Sequence, residues 1–219
     1  MAEMKYEYFP RQVLKDKTLT DATKVVANYL IHLSGWEEDN LLPSMNKLSD
    51  LVSVNKSQVV AAVNQLKEKE YIVVNDDNTF IFQINGIKFE RQDLSNPDAC
   101  HMLGDFVKVP QFLNYIDTIT PSARIAAIMF FDFNFGINKN GAFFIKKEKP
   151  TIDGVATYYG INKSTFRSRI HKCLEAEIFK YKVIQIGKEK KKIIGLKCIS
   201  WINTWVREDD LEAKKYLVL

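Results

Sequence analysis

Between Pro150 and Phe179, PTIDGVATYYGINKSTFRSRIHKCLEAEIF, hydrophobic residues fall into helical spacing twice in succession. Ile152, Val155 and Tyr158 or Tyr159 share one face of a short helix that Thr151 can cap. Gly160 supplies the backbone freedom of a tight turn. Asn162 can cap a second helix, on which Phe166, Ile170 and Cys173 recur at intervals of four and three. That stripe faces inward. The opposite face then carries Ser164, Thr165, Ser168, His171, Lys172 and Glu175, with Arg167 and Arg169 on its flanks.

The same pattern occurs earlier. Pro43–Ile72, PSMNKLSDLVSVNKSQVVAAVNQLKEKEYI, aligns without gaps on Pro150–Phe179, with six of thirty positions identical. The apolar positions coincide: Met45 with Ile152, Leu48 with Val155, Leu51 with Tyr158, Val54 with Ile161, Val59 with Phe166, Val63 with Ile170, Leu66 with Cys173. A preceding helix repeats as well. Thr20 opens DATKVVANYLIHL and Thr120 opens PSARIAAIMFFDF, with Pro121 at the first helical position. Phe130, Phe131, Phe133 and Phe135 crowd this second copy and are expected in the core. After each helical set comes a strand pair: Tyr71–Val74 and Thr79–Ile84 around Asp76-Asp77-Asn78, then Tyr181–Ile186 and Ile193–Ile199 around Gly187–Lys192. Helix, helix, helix, hairpin is the order of a winged helix. The expected fold is therefore α+β and predominantly helical, with two winged helix-turn-helix domains in tandem. The domains are expected at residues 1–90 and 106–200. A linker over 91–105 holds the break Ser95-Asn96-Pro97-Asp98, and a helical extension follows at 201–219. Trp201 and Trp205 share a face of that extension, which is expected to pack on the second domain or to serve a dimer.

Charge divides the two copies. Residues 1–105 carry 11 Lys and Arg against 16 Asp and Glu, whereas residues 106–219 carry 20 against 11. Within 139–198 the ratio is 15 to 5, more than solvation of a surface requires. An anionic half beside a cationic half predicts two surfaces with different partners. The N-terminus, MAEMKYEYFPRQ, lacks the apolar core of a signal peptide, and no apolar run reaches the length of a membrane span. The expectation is a cytoplasmic protein with no membrane role. Cys100, Cys173 and Cys198 form no CxxC pair, and His32, His101 and His171 are scattered, so no metal or cofactor is expected. There is no GxxxxGK[ST] phosphate loop and no GxSxG elbow. Tyr158-Tyr159 has no His-x-His pair to support nicking chemistry. With no catalytic constellation, the chain reads as a binding protein and not an enzyme.

The second recognition helix is the stronger candidate for duplex DNA. Arg167, Arg169 and Lys172 can donate to guanine, and Ser164, Thr165, Ser168 and His171 can meet bases or phosphates. Lys163 sits at the helix start, where free amides favour an anion. The wing adds Lys188, Lys190, Lys191 and Lys192. The first domain offers Asn55, Lys56, Ser57, Gln58, Asn64 and Gln65, polar but nearly uncharged. It also has an unusually apolar Val60-Ala61-Ala62 and an acidic wing tip that would repel phosphate. That domain is expected either to touch DNA or to bind a replication protein, a partner or a second copy.

The segments FPRQVL, LTDATKVVANYL and PSMNKLSDLVSVNKSQVVAAVNQLKEKEYI resemble the N-terminal winged helix of replication initiators and replisome-organiser proteins of Gram-positive plasmids and phages. The resemblance covers residues 9–74 and, more loosely, 109–181. It implies binding of origin DNA; this chain repeats the domain where that family has a different, helper-binding region. A transcriptional repressor would use the same surfaces, and an adaptor built of winged helices would use the apolar first copy.

Overall fold

A computed structural model describes residues 6–34, 40–88, 106–110, 113, 116–137, 143–145, 151–186 and 189–196. The fold is α+β, with helices joined to small antiparallel sheets. In order the elements are β1 (Tyr6–Pro10), α1 (Arg11–Lys15), α2 (Asp21–Ser34), α3 (Met45–Val52), α4 (Lys56–Glu68), β2 (Ile72–Val74), β3 (Phe80–Ile84) and β4 (Ile87–Lys88). Then come β5 (Phe106–Pro110), α5 (Pro121–Asn134), β6 (Phe135–Ile137), β7 (Phe143–Ile145), α6 (Ile152–Tyr159), α7 (Lys163–Glu175), β8 (Phe179–Ile186) and β9 (Glu189–Leu196).

The internal repeat holds to the residue. β5 and α5 begin and end 100 positions after β1 and α2, and α6 and α7 do so 107 positions after α3 and α4. The seven extra residues fall between α5 and α6, where β6 and β7 pair. Local chemistry explains why the bounds coincide. The hydroxyls of Ser44 and Thr151 accept the amides of Lys47 and Gly154 at the starts of α3 and α6. Those helices end in left-handed residues, Ser53 at φ 51° and Gly160 at φ 63°. Asn55 and Asn162 then cap α4 and α7. Both of these helices finish with a glutamate forced to φ 57°, Glu70 and Glu177, followed by amides that reach back to Leu66 and Cys173.

Among the described residues, those up to Ile125 form one compact unit and those from Ala126 onward another. In the first unit α2 packs on α4, and Val26, Leu30, Val59, Val63 and Leu66 are buried. Each such side chain contributes about 1.5–3 kcal/mol by leaving water. β1 and β5 pair antiparallel, Tyr6 with Pro110, Tyr8 with Lys108 and Pro10 with Phe106, and Phe9, Val107 and Val109 are buried there. A buried cation occupies the same place in each copy. The Lys24 ammonium donates to the Leu14 carbonyl at 2.8 Å. Arg124 donates to the Val52 carbonyl at 2.8 Å and to that of Ile116. Val52 ends α3, so Arg124 satisfies a carbonyl the helix leaves open, at its negative pole. Burial pushes the Arg124 pKa down to about 10, against the opposing pull of Asp117.

In the second unit Phe130, Phe131, Val155, Tyr159, Phe166, Ile170, Cys173 and Phe179 are buried. The Tyr159 hydroxyl donates to Asp132 at 3.0 Å, and Phe130 meets Phe179 with ring centres 5.4 Å apart.

Several expectations need correction. β1 was expected to stand apart from the second copy, yet it pairs with β5, and Arg124 of α5 reaches the end of α3. Asn85 and Gly86, at φ 53° and 78°, turn β3 into β4, a third strand beyond the expected hairpin. Phe135 lies in β6 and not in the helix with Phe130 and Phe131. The second hairpin has longer strands and a shorter connection than expected: Lys190, Lys191 and Lys192 stand within β9, paired with Gln185, Ile184 and Val183. Lys188, the linker over 91–105 and the extension 201–219 lie outside the described residues.

Candidate nucleic-acid interface

α7 is built to show one face. Phe166, Ile170 and Cys173 are at most 1% exposed, while Lys163, Ser164, Thr165, Arg167, Ser168, His171 and Lys172 are exposed. Arg169 is half-buried. The start of the helix is fixed by Asn162, whose side-chain oxygen accepts the amides of Ser164 at 2.9 Å and Thr165 at 3.2 Å. The Ser164 hydroxyl also donates to that oxygen, at 2.6 Å. Burial raises the Cys173 thiol pKa to about 12, so it stays protonated and acts as core packing. His171 lies 3.2 Å from Glu175, one turn on.

Arg167 does not stand alone. Its Nε donates to Asp153 Oδ1 at 2.7 Å and its Nη2 to Oδ2 at 2.5 Å, a two-pronged pair that joins α7 to the first turn of α6. The arginine side chain is 62% exposed and the aspartate 30%. The hydrogen bonds from Arg167, with the nearby positive charges of Arg167 and Lys163, hold the Asp153 carboxyl below the usual range. Bonding to Asp153 raises the Arg167 pKa in turn. Asp153 was not singled out in the sequence; an acid in the first turn of a helix normally just complements the dipole. At the far end of α6, Tyr158 is exposed at 43% and meets Phe133 and Tyr159 edge-on, at ring-centre distances of 4.6 and 5.1 Å.

The equivalent face of α4 is used differently. Lys56, Ser57, Gln58 and Asn64 are exposed, but Asn55 is a cap that accepts the Gln58 amide at 2.9 Å and the Ser57 hydroxyl at 2.8 Å. Gln65 is half-buried, and both ends of its amide are engaged. It donates to the Thr18 carbonyl at 2.8 Å and accepts the Thr23 hydroxyl at 2.6 Å, clasping the start of α2. Val60 stands where α7 has Arg167, and Asn46 where α6 has Asp153. The wing tip is likewise occupied by its own bonds. Asp77 accepts from the Thr79 amide and hydroxyl at 2.9 and 2.6 Å, and Asn78 reaches the Leu42 carbonyl at 3.0 Å.

No protein-family model matches the chain, and no curated protein or solved structure matches it significantly. No helix among the described residues is long and apolar enough to cross a membrane.

Proposed function

We propose that the chain is a double-stranded DNA-binding protein with two winged-helix heads in tandem, the second of which reads sequence in the major groove. The observation that carries this reading is α7. One face is closed by an aromatic and aliphatic stripe, and the other shows seven exposed polar or cationic side chains from Lys163 to Lys172. Such a rod, capped at its entrance by Asn162 and followed by a lysine-bearing hairpin, has the chemistry of a groove reader. On this reading the protein is cytoplasmic, needs no cofactor and catalyses no reaction. The role that the sequence resemblance favours is an origin-binding replication initiator of a plasmid or phage. A repressor would bind with the same surface; an iterated array of bound sites favours initiation and a promoter operator favours repression.

The first head carries a second reading. With Val60 and Ala61 exposed on α4, Gln65 turned inward and an acidic wing, it suits a protein partner or a second copy better than phosphate.

The test uses the full chain and duplex DNA in gel shifts. Replacing Arg167, Arg169 and Lys172 together with Ala is expected to remove sequence-specific binding, each missing base interaction costing about 1–3 kcal/mol. Unchanged binding in that variant means α7 is not the reader.

A further inference from the structure

We infer that Asp153 is a positioning residue that sets the sequence specificity of Arg167. This rests on the DNA-binding reading of α7 and goes one step beyond it.

A guanidinium has two edges that can form paired hydrogen bonds. Asp153 takes one of them, the side edge, through Nε and Nη2. The end edge, with hydrogens on Nη1 and Nη2, is left outside that pair, and the side chain is 62% exposed. That end edge can donate to N7 and O6 of guanine as a pair. An unsupported arginine on an exposed helix samples many rotamers and finds any nearby phosphate. One gripped on its side edge is already ordered, so less freedom is lost on binding. The carboxylate acts a second way. It stands where a phosphate oxygen would otherwise pair with the same edge, and its charge repels the backbone. Asp153 therefore both aims Arg167 at a base and holds it off the phosphates. It also feels the charge of Lys163, at the start of the same helix as Arg167.

The repeat supports a dedicated role. α3 has Asn46 at the Asp153 position and α4 has Val60 at the Arg167 position, so the pair is missing as a unit, where Ala62 and Gln65 also replace Arg169 and Lys172 and only Lys56 keeps the place of a cation, Lys163. A pair needed only to fix the helix-turn-helix angle would be wanted in both copies. As an exposed ion pair it also adds little to folding.

The full chain is used to select its preferred duplex from a randomised library. Binding is then measured for that duplex and for versions changed one base pair at a time. Asp153→Asn is expected to lower discrimination at one G·C pair by roughly tenfold, and to leave or raise affinity for unrelated duplex. The same substitution in an Arg167→Ala chain is expected to change discrimination at that pair by nothing measurable. Asp153→Glu is expected to restore part of the discrimination, and the melting temperature of Asp153→Asn should match that of the parent. A uniform change in affinity for every duplex, or an equal loss of discrimination in the Arg167→Ala background, overturns the role of Asp153 while leaving DNA binding intact. A parent chain that enriches no duplex overturns the DNA reading itself, and this inference with it.

Discussion

Two side chains at the ends of equivalent helices, Glu70 and Glu177, sit at φ 57°, where a Cβ is crowded and glycine is not. Replacing either with Gly is expected to stabilise its unit by about 0.5–1 kcal/mol in urea unfolding, less whatever freedom the unfolded chain gains. Asp16 gives a pH signature. Burial tends to raise its pKa. The hydroxyl and amide of Thr18, the Tyr71 hydroxyl and the charge of Lys24 together outweigh that, and the net shift is downward. The folded pKa is depressed, so the stability Asp16 supplies is full above the ordinary value of 3.8 and is lost as pH falls through the folded value. Asp16→Asn should flatten the acid limb of a melting-temperature profile and leave its neutral part parallel to the parent. Caps were legible in the sequence because they act within three residues: Thr20, Thr120, Thr151 and Asn162 all cap as their spacing predicts. Gln65 was not, since its partners, Thr18 before α2 and Thr23 in its first turn, lie more than forty residues earlier. Asp153 was not, because the turn that brings it to Arg167 has to be built first.

At the scale of elements, the starts of the helices from α2 to α7 were legible, since a side-chain cap ahead of a 3.6-residue apolar period is a local signal, whereas the short α1 was not. Strands were read less well. β1 and β5 each find their hydrogen-bond partner about a hundred residues away, and nothing local announces either. In β9 the run Lys190-Lys191-Lys192 looks like a solvated turn, yet it pairs with Gln185, Ile184 and Val183 of a long β8. The three lysines thus stand in consecutive positions of the ladder, at the end of the ribbon next to its turn. On the proposed DNA-binding reading, that end of the ribbon meets the backbone. Changing Lys188, Lys190, Lys191 and Lys192 to Gln should make the plot of log affinity against log salt shallower by about one for each phosphate no longer neutralised. If the slope stays at the parent value, the hairpin does not lie on the backbone.

For the whole molecule, the repetition of elements was legible and the pairing of β1 with its counterpart β5 was not. Internal similarity places a break near residues 91–105, while β5 and Arg124, beyond that break, bond to β1 and to the end of α3. A practical consequence can be measured. A chain cut by an inserted protease site within 91–105 should still elute as one species, because β1 holds β5 and Arg124 holds the end of α3. A fragment of residues 1–90 made alone should melt at a lower temperature than the cut complex. Elution of two separate pieces would show that those bonds do not suffice. The β1–β5 ladder has a centre at Tyr8 and Lys108, and equal places of the two copies meet across it in opposite directions. A polypeptide with a single copy could complete such a ladder only by colliding with a sibling, so its assembly would follow dilution. Carried twice on one chain, the strand keeps its mate tethered, and the ladder closes regardless of how scarce the protein is.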